Sequence, residues 1–451
     1  MMASKIAIVG DPMHSSLSHI VRVSKMMSLL KGVMDIDTYM FSYEEGSFSK
    51  TAASLLDSAV KDNIIDEIVR VKPTDNQIFD LNKATKLVSY LAESKALLEN
   101  EIRQRIDFVN ELAKKYDKVF VFLAPGFFGN WYEKPAVPDN VTGILVLDTF
   151  FHPDSELSLG TALNTETFFG RLQEMYFDKA LYEPMLRVLS EIRQNLKLPL
   201  YATRRALYDN QIILDPSVPE YTKIKASLPN YHSIGMLLPK YPNDAEAIEA
   251  DIKAFCGDDP LLYVTLGGSA KGDKYIAYLA EIIQGVSKQY PSMKYLITST
   301  DVISHKDELK DLIGEKLLSH CMIYAFLDTR IATKFAVAAV GVMGKEQVCM
   351  AAINKVPIIV LPVNIDQVTH MKISEQLKIG TVAIRPAIWH LSSSQKLIDG
   401  VLSSADKIVP AIISVIENRS DFKNKELRES FLRFDDAYQA QELSNILKAN
   451  M

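Results

Sequence analysis

The sequence predicts two α/β domains, each an open sheet of mostly parallel strands with helices between them. Three observations carry this. The chain has 451 residues, more than one typical core accommodates. Short, wholly apolar runs alternate with stretches of helical spacing in both halves, the pattern of parallel strands buried on both faces. Regular periodicity lapses once, across 198–240, where Pro and Tyr accumulate in LDPSVPEY and HSIGMLLPKYP.

The elements follow in order. KIAIVGD at 5–11 is a strand ending in Gly-Asp, and HIVRVSKMMSLLKG at 19–32 has helical spacing and stops at Gly32. Residues 83–116 form a long, charged, helix-favouring stretch. KVFVFLAPG at 118–126 and TGILVLDTF at 142–150 are further buried strands. Beyond the lapse come five strand-like runs: LLYVTLG at 261–267, KYLITST at 294–300, CMIYAFL at 321–327, FAVAAVG at 335–341 and VPIIVLP at 356–362. The domains are therefore expected at 1–238 and 239–429, with a helical segment at 430–451 that packs across both. In such sheets ligands sit beyond the carboxyl ends of the strands.

Composition narrows the function. The net charge is -6 with both signs interspersed, and no basic stripe offers itself to nucleic acid. Cys256, Cys321 and Cys349 lie far apart, make no metal-ligand pattern and read as reduced thiols of a cytoplasmic protein. The opening MMASKIAIVGD has a first strand and no long apolar run, so no secretory signal is expected, and apolar runs such as 356–363 fall far short of a membrane span. HExxH, paired CxxC and EF-hand patterns are missing, so no metal is expected.

Several residues are candidates for chemistry. Gly267, Gly268 and Ser269 follow a strand, where free N–H groups either meet a phosphate or form an ordinary tight turn. Gly341 and Gly344 loosen another strand-to-helix connection, and Lys345 beside them either reaches an anion or is merely solvated. Asp366 and Gln367 place an acceptor and a donor side by side, which suits the hydroxyls of a sugar, although an Asp there also serves as a helix cap. His14 and His19 lie in or just after the first strand-to-helix loop and can take a proton from a hydroxyl, with Asp148 as a possible orienting carboxylate. The loop FFGNWYEKP offers Phe127, Phe128, Asn130 and Trp131, either to stack on an acceptor or to close over the core.

Residues 342–380 resemble the donor-binding segment of the family-1 glycosyltransferases. Lys355-Val356-Pro357 stands at that family's Gly-Val-Pro position, Pro362, Asp366 and Gln367 fit its PxxxDQ, and Gly380 stands at its later Gly. YVTLGGSA at 263–270, SIGMLLPK at 233–240 and GDPMHSSLSH at 10–19 are similar in order to its phosphate loop, linker and base-carrying loop. The resemblance implies the GT-B fold, two Rossmann-like domains facing across a cleft. It also implies a metal-independent, inverting transfer from a nucleotide sugar, with a UDP-sugar as the expected donor, to an acceptor hydroxyl. Gln347 joins the implied donor contacts. The chain departs from the pattern at the phosphate-binding His, which falls on Val342, at a Gly that falls on Met343, and at the ribose-binding Glu, which falls on Met350. Those departures leave two alternatives open: a non-catalytic binding or scaffold protein of this fold, and a sugar-nucleotide epimerase.

Overall fold

The computed structural model describes residues 4–12, 17–43, 50–72, 87–124, 128–147, 175, 178–222, 230–266, 273–386, 394–422 and 424–451. They belong to two compact units. The first comprises Met1–Ser158, Glu174–Pro239 and Arg433–Met451, and the second Leu159–Gln173 and Lys240–Leu432.

The first unit is built on seven strands: β1 (Ile6–Asp11), β2 (Asp37–Tyr43), β3 (Glu67–Val71), β4 (Lys118–Leu123), β5 (Val141–Val146), β6 (Ile212–Asp215) and β7 (Tyr231–Ser233). Their order is β3-β2-β1-β4-β5-β6-β7, and every pairing is parallel. The winding reverses between β1 and β4, a topological switch point of the kind at whose carboxyl side ligands bind in open α/β sheets. All six residues of β1 are buried, as a central parallel strand requires.

Helix Leu17–Lys31 covers β1. Ile20, Val23, Met26, Met27 and Leu30 recur at helical spacing and are at most 1% exposed. Burying each contributes roughly 1.5–3 kcal/mol. The chain's last helix, Asp436–Ala449, begins where Asp435 accepts from Tyr438 N at 2.8 Å, and its Ala440, Leu443, Ile446 and Leu447 share the core of this first unit with Ile20, Val23 and Met26. Lys25 Nζ pairs with Asp436 Oδ2 at 2.6 Å at the edge of that contact.

The second unit has six strands: β8 (Leu261–Thr265), β9 (Lys294–Thr298), β10 (Cys321–Tyr324), β11 (Ala338–Gly341), β12 (Ile358–Val360) and β13 (Gly380–Thr381). The order β10-β9-β8-β11-β12-β13 is again all parallel and again reverses once, between β8 and β11. The five apolar runs expected from the sequence are β8 to β12. Leu262, Val264, Ile297, Val340 and Ile359 lie in a core shared with Ile276, Leu279, Ile283, Ile408 and Ile412 from two helices. Two Rossmann-like sheets, each packed with helices, thus stand where the sequence predicts α/β domains.

Candidate active site

In the second unit, β8, β11 and β12 are neighbours, and the three segments singled out in the sequence leave their carboxyl ends. Residues 267–269 follow β8, 342–347 follow β11, and 361–367 follow β12. The strand ends are stitched together: Val342 N donates to Thr265 O at 2.8 Å and Leu361 N to Gly341 O at 2.7 Å. Gly267, Gly268 and Ser269 themselves lie outside the described residues.

Gly341 sets the spacing of this edge. Its φ is +152°, and an added Cβ would stand 1.8 Å from Thr265 O. Only a residue without a side chain lets β11 pass β8 this closely. Gly341→Ala is expected to cost about 1–3 kcal/mol through backbone conformation alone, lowering the melting temperature. An unchanged melting temperature would show that the turn relaxes freely.

Helix Lys345–Ile353 starts at Gly344, whose N–H donates to Gln347 Oε1 at 2.6 Å. The Gln347 carbonyl is therefore spent on the helix start, which leaves its amide as the donor end. Lys345 is 3% exposed, so it is not a solvated surface lysine. A lysine in a first turn opposes the helix dipole by about 0.3–1 kcal/mol, a cost that an anion at the same end reverses. Val342, Met343 and Met350 are buried, 4%, 1% and 3% exposed.

Helix Ile365–Gln376 is capped by Asn364, whose Oδ1 accepts from Gln367 N at 3.1 Å. The cap that spacing alone would have allowed Asp366 is thus Asn364, and Asp366 sits in the first turn. Gln367 is 7% exposed, and its Oε1 accepts from Val363 N at 2.9 Å. Gly380, the later Gly of the motif, has a structural reason: at the start of β13 its Cβ would lie 2.2 Å from Ile358 O.

In the first unit, His19 is the third residue of helix Leu17–Lys31, half-buried beyond the carboxyl end of β1. His14, Asp148 and Phe127 lie outside the described residues. The loop after β4 follows the second of the two courses open to it. Phe128, Asn130 and Trp131 are 0%, 4% and 1% exposed, and the aromatics close over the core instead of forming an open platform. Asn130 Nδ2 donates to Gln211 Oε1 at 2.8 Å, and Arg193 Nη1 donates to Asn130 O at 2.7 Å. The Arg193 guanidinium lies 3.9 Å from the Tyr201 ring and 5.6 Å from the Trp131 ring, and it also pairs with Glu133. A buried cation held by stacked rings, a carboxylate and a main-chain carbonyl fastens this loop as structure.

A buried ionic cluster at the end of β1 was not anticipated. Asp11 Oδ1 lies 3.3 Å from Arg105 Nε, and Tyr132 Oη donates to Asp11 Oδ2 at 2.8 Å. Arg105 also pairs with Glu101 Oε2 at 3.5 Å, and Tyr43 Oη donates to the same oxygen at 2.8 Å. Burial works against the Arg105 charge, yet Tyr43, Asp11 and Glu101 outweigh it and hold the guanidinium above its ordinary pKa. The signal was there to find: in helix Lys95–Ala113, Glu101 and Arg105 fall on the stripe of Leu98, Ile102, Val109 and Leu112.

Among solved structures, the chain is similar to the glycotransferase of kitacinnamycin, with 12% identity over 99% of this chain and 100% of that one, TM-score 0.59. It is similar to UGT2 of Phytolacca americana, solved with UDP-2-fluoro-glucose and pterostilbene, with 12% identity over the whole of both chains, TM-score 0.61. It is similar also to CalG4, the calicheamicin glycosyltransferase, with 12% identity over 99% of each chain, TM-score 0.61. No family model and no curated protein matches the sequence. The chain has a GT-B-like fold. Pro362, Asp366 and Gln367 follow β12, and the segment after β11 begins with the buried Val342 and Met343. Among the described residues, no group of three or more His, Cys, Asp or Glu is placed to hold a metal ion, and no helix is long and apolar enough to cross a membrane.

Proposed function

We propose that this protein is a glycosyltransferase that moves a sugar from a nucleotide-sugar donor to an acceptor hydroxyl, with inversion at the anomeric carbon. The observation that carries the reading is that β8, β11 and β12 end side by side at the switch point of the second sheet, with residues 342–347 leaving β11 and 361–367 leaving β12. The likeness to glycosyltransferase structures over the full chain supports it.

In this reading the donor's diphosphate meets the 267–269 loop, the start of helix Lys345–Ile353 and the Lys345 ammonium, which calls on no metal. Asp366 accepts from the sugar hydroxyls. Gln367, whose carbonyl is tied to Val363, donates through its amide. Phe326 carries the base: it is 78% exposed, the highest value of any large apolar side chain among the described residues, and it lies just past the end of β10. An open aromatic face at a ligand-facing edge suits stacking on a nucleobase. The acceptor hydroxyl attacks the anomeric carbon as the bond to the diphosphate breaks, and His19 receives the hydroxyl proton.

Calorimetric titration with UDP-, GDP- and TDP-sugars and the free nucleotides tests this. One sugar nucleotide is expected to bind more tightly than its free nucleotide. Asp366→Ala should abolish that advantage, and Phe326→Ala should weaken sugar nucleotide and nucleotide alike by about tenfold or more. The buried Val342, Met343 and Met350 favour one other reading, a GT-B-like protein without catalysis. Failure of the folded protein to bind any member of the panel would select it.

A further inference from the structure

Each sheet ends in two edge strands, and three of the four edges carry a device that discourages pairing with another chain. β3 shows Glu67 and Arg70 to solvent, and β13 is two residues long. β7 has three residues and is flanked by the last helix, where His232 Nδ1 lies 3.8 Å from Glu442 Oε1. β10 is longer than β7 or β13, and its Cys-Met-Ile-Tyr holds no formal charge and no Pro. Its register with β9 runs without a bulge, and all of its residues are partly exposed.

The peptide groups of β10 divide between two directions. Tyr295 N donates to His320 O at 2.8 Å and Ser299 N to Tyr324 O at 3.0 Å. Successive residues of a paired strand turn their N–H and C=O to opposite sides, so His320, Met322 and Tyr324 face β9. Cys321 and Ile323 turn theirs away from the sheet, where no further strand pairs among the described residues. The flanks of this open edge are apolar. Leu317, Leu318, Cys321 and Ile323 are partly buried at the rim of the second unit's core. Ile303, 46% exposed, stands on the short helix Thr300–Ser304 packed on β10.

We propose that β10 is a self-association edge, at which two copies of this chain pair their strands antiparallel about a two-fold axis through Met322. The open peptide groups set the register. Cys321 of each copy faces Ile323 of the other, and each such pair exchanges both N–H···O bonds, which satisfies the outward groups of the strand. The two Met322 residues form the non-hydrogen-bonded pair between them, with Cα atoms about 4.5 Å apart. A second copy fits this edge because the strand is its own complement. It carries no charge to repel its duplicate, and its outward donors and acceptors are symmetric about Met322. Pairing joins two six-stranded sheets into one. The strands alone supply only part of the roughly 1,200–2,000 Å² that a stable interface buries, so Ile303 and the Leu317–Leu318 rim add to the contact and the dimer is weak, forming in the micromolar range. This association does not depend on the nucleotide-sugar reading.

Sedimentation velocity of the full-length protein across the micromolar range tests it. The unmodified protein should pass from monomer to dimer as its concentration rises. Met322→Lys sets two ammonium groups face to face at the axis and should weaken the dimer at least about tenfold, with the melting temperature of the dilute protein unchanged. A second variant reads the register even where Met322→Lys disturbs the fold. Met322→Cys in a Cys321→Ala background should form a disulfide-linked dimer under mild oxidation, because directly opposed residues have the Cα spacing of a disulfide. Val33→Cys in the same background, at a 47% exposed position of the first unit, should not. A protein that stays monomeric throughout and gives no cross-link overturns the proposal and leaves the edge to an extended segment of a different protein. A dimer that Met322→Lys leaves intact and Met322→Cys fails to cross-link overturns it as well, by placing the contact elsewhere.

Discussion

Sugar transfer by His19→Ala is expected to run about 10²–10⁴-fold slower than by the unmodified protein, with nucleotide-sugar affinity unchanged. A general base acts on the acceptor's proton in the transition state, so its loss shows in kcat and not in donor binding. The position favours His19. It lies in the first turn of the helix that follows the carboxyl end of β1, beside the switch point with β4. The helix is pressed against the strand: a Cβ on Gly10 would stand 2.5 Å from Val23 Cγ1, so Gly10 lets the helix come this close. A histidine on so tightly seated a helix has a fixed place relative to the sheet edge.

Two controls separate base from scaffold. His19→Gln keeps a polar side chain of similar reach but cannot act as a base near neutral pH, so it should be as slow as His19→Ala. The acidic limb of the kcat/KM profile should also disappear in both variants. Full activity in His19→Ala, with the loss appearing in His14→Ala, would move the role to His14.

Arg105→Met is expected to destabilise the protein by about 3–5 kcal/mol, because it leaves carboxylates buried without their cation. Arg105, Asp11 and Glu101 side chains are 4%, 1% and 1% exposed, so water cannot replace the lost partner. A surface pair would behave differently: Lys114–Glu111, 67% and 63% exposed, should be worth less than about 1 kcal/mol. Urea denaturation measures the loss, and hydrogen exchange should locate it in β1 and helix Lys95–Ala113. Arg105→Lys, which keeps the charge but not the planar fork, should lose less. Unchanged stability and exchange in Arg105→Met would mean that the cluster is not held by this cation. Because Asp11 ends β1, the same cluster anchors the carboxyl end of that strand.

Much of the fold could be read from the chain. β1, β4, β5, β8, β9, β11 and β12 are interior parallel strands, so their sequences are apolar on both faces, and β10, half-buried at the sheet edge, is apolar enough to be read with them. Those missed have a weaker signature. β2 mixes in Asp, Thr and Ser, β3 lies at the sheet edge with Glu67 and Arg70 exposed, and β13 is two residues long. β6 and β7 hide in the Pro- and Tyr-rich lapse, yet they extend the first sheet. Likewise Pro362, Asp366 and Gln367 stood out because a motif is a matter of spacing along one segment.

By itself, then, the sequence determined the α/β character of both halves, the succession of their main strands along the chain and the segments that follow those strands, since periodicity and spacing are local properties. The tertiary structure decided what each side chain near those segments is free to do. Gln347 and Gln367 give their carbonyls to helix starts, Trp131 and Phe128 go to the core, and Phe326 stays in the open. Arg105 meets Tyr43 from 62 positions away. Whether a charged or aromatic residue is solvated, buried or presented to a ligand depends on partners remote in the chain, because desolvation and hydrogen bonding are set by everything packed around a group and not by its neighbours in sequence.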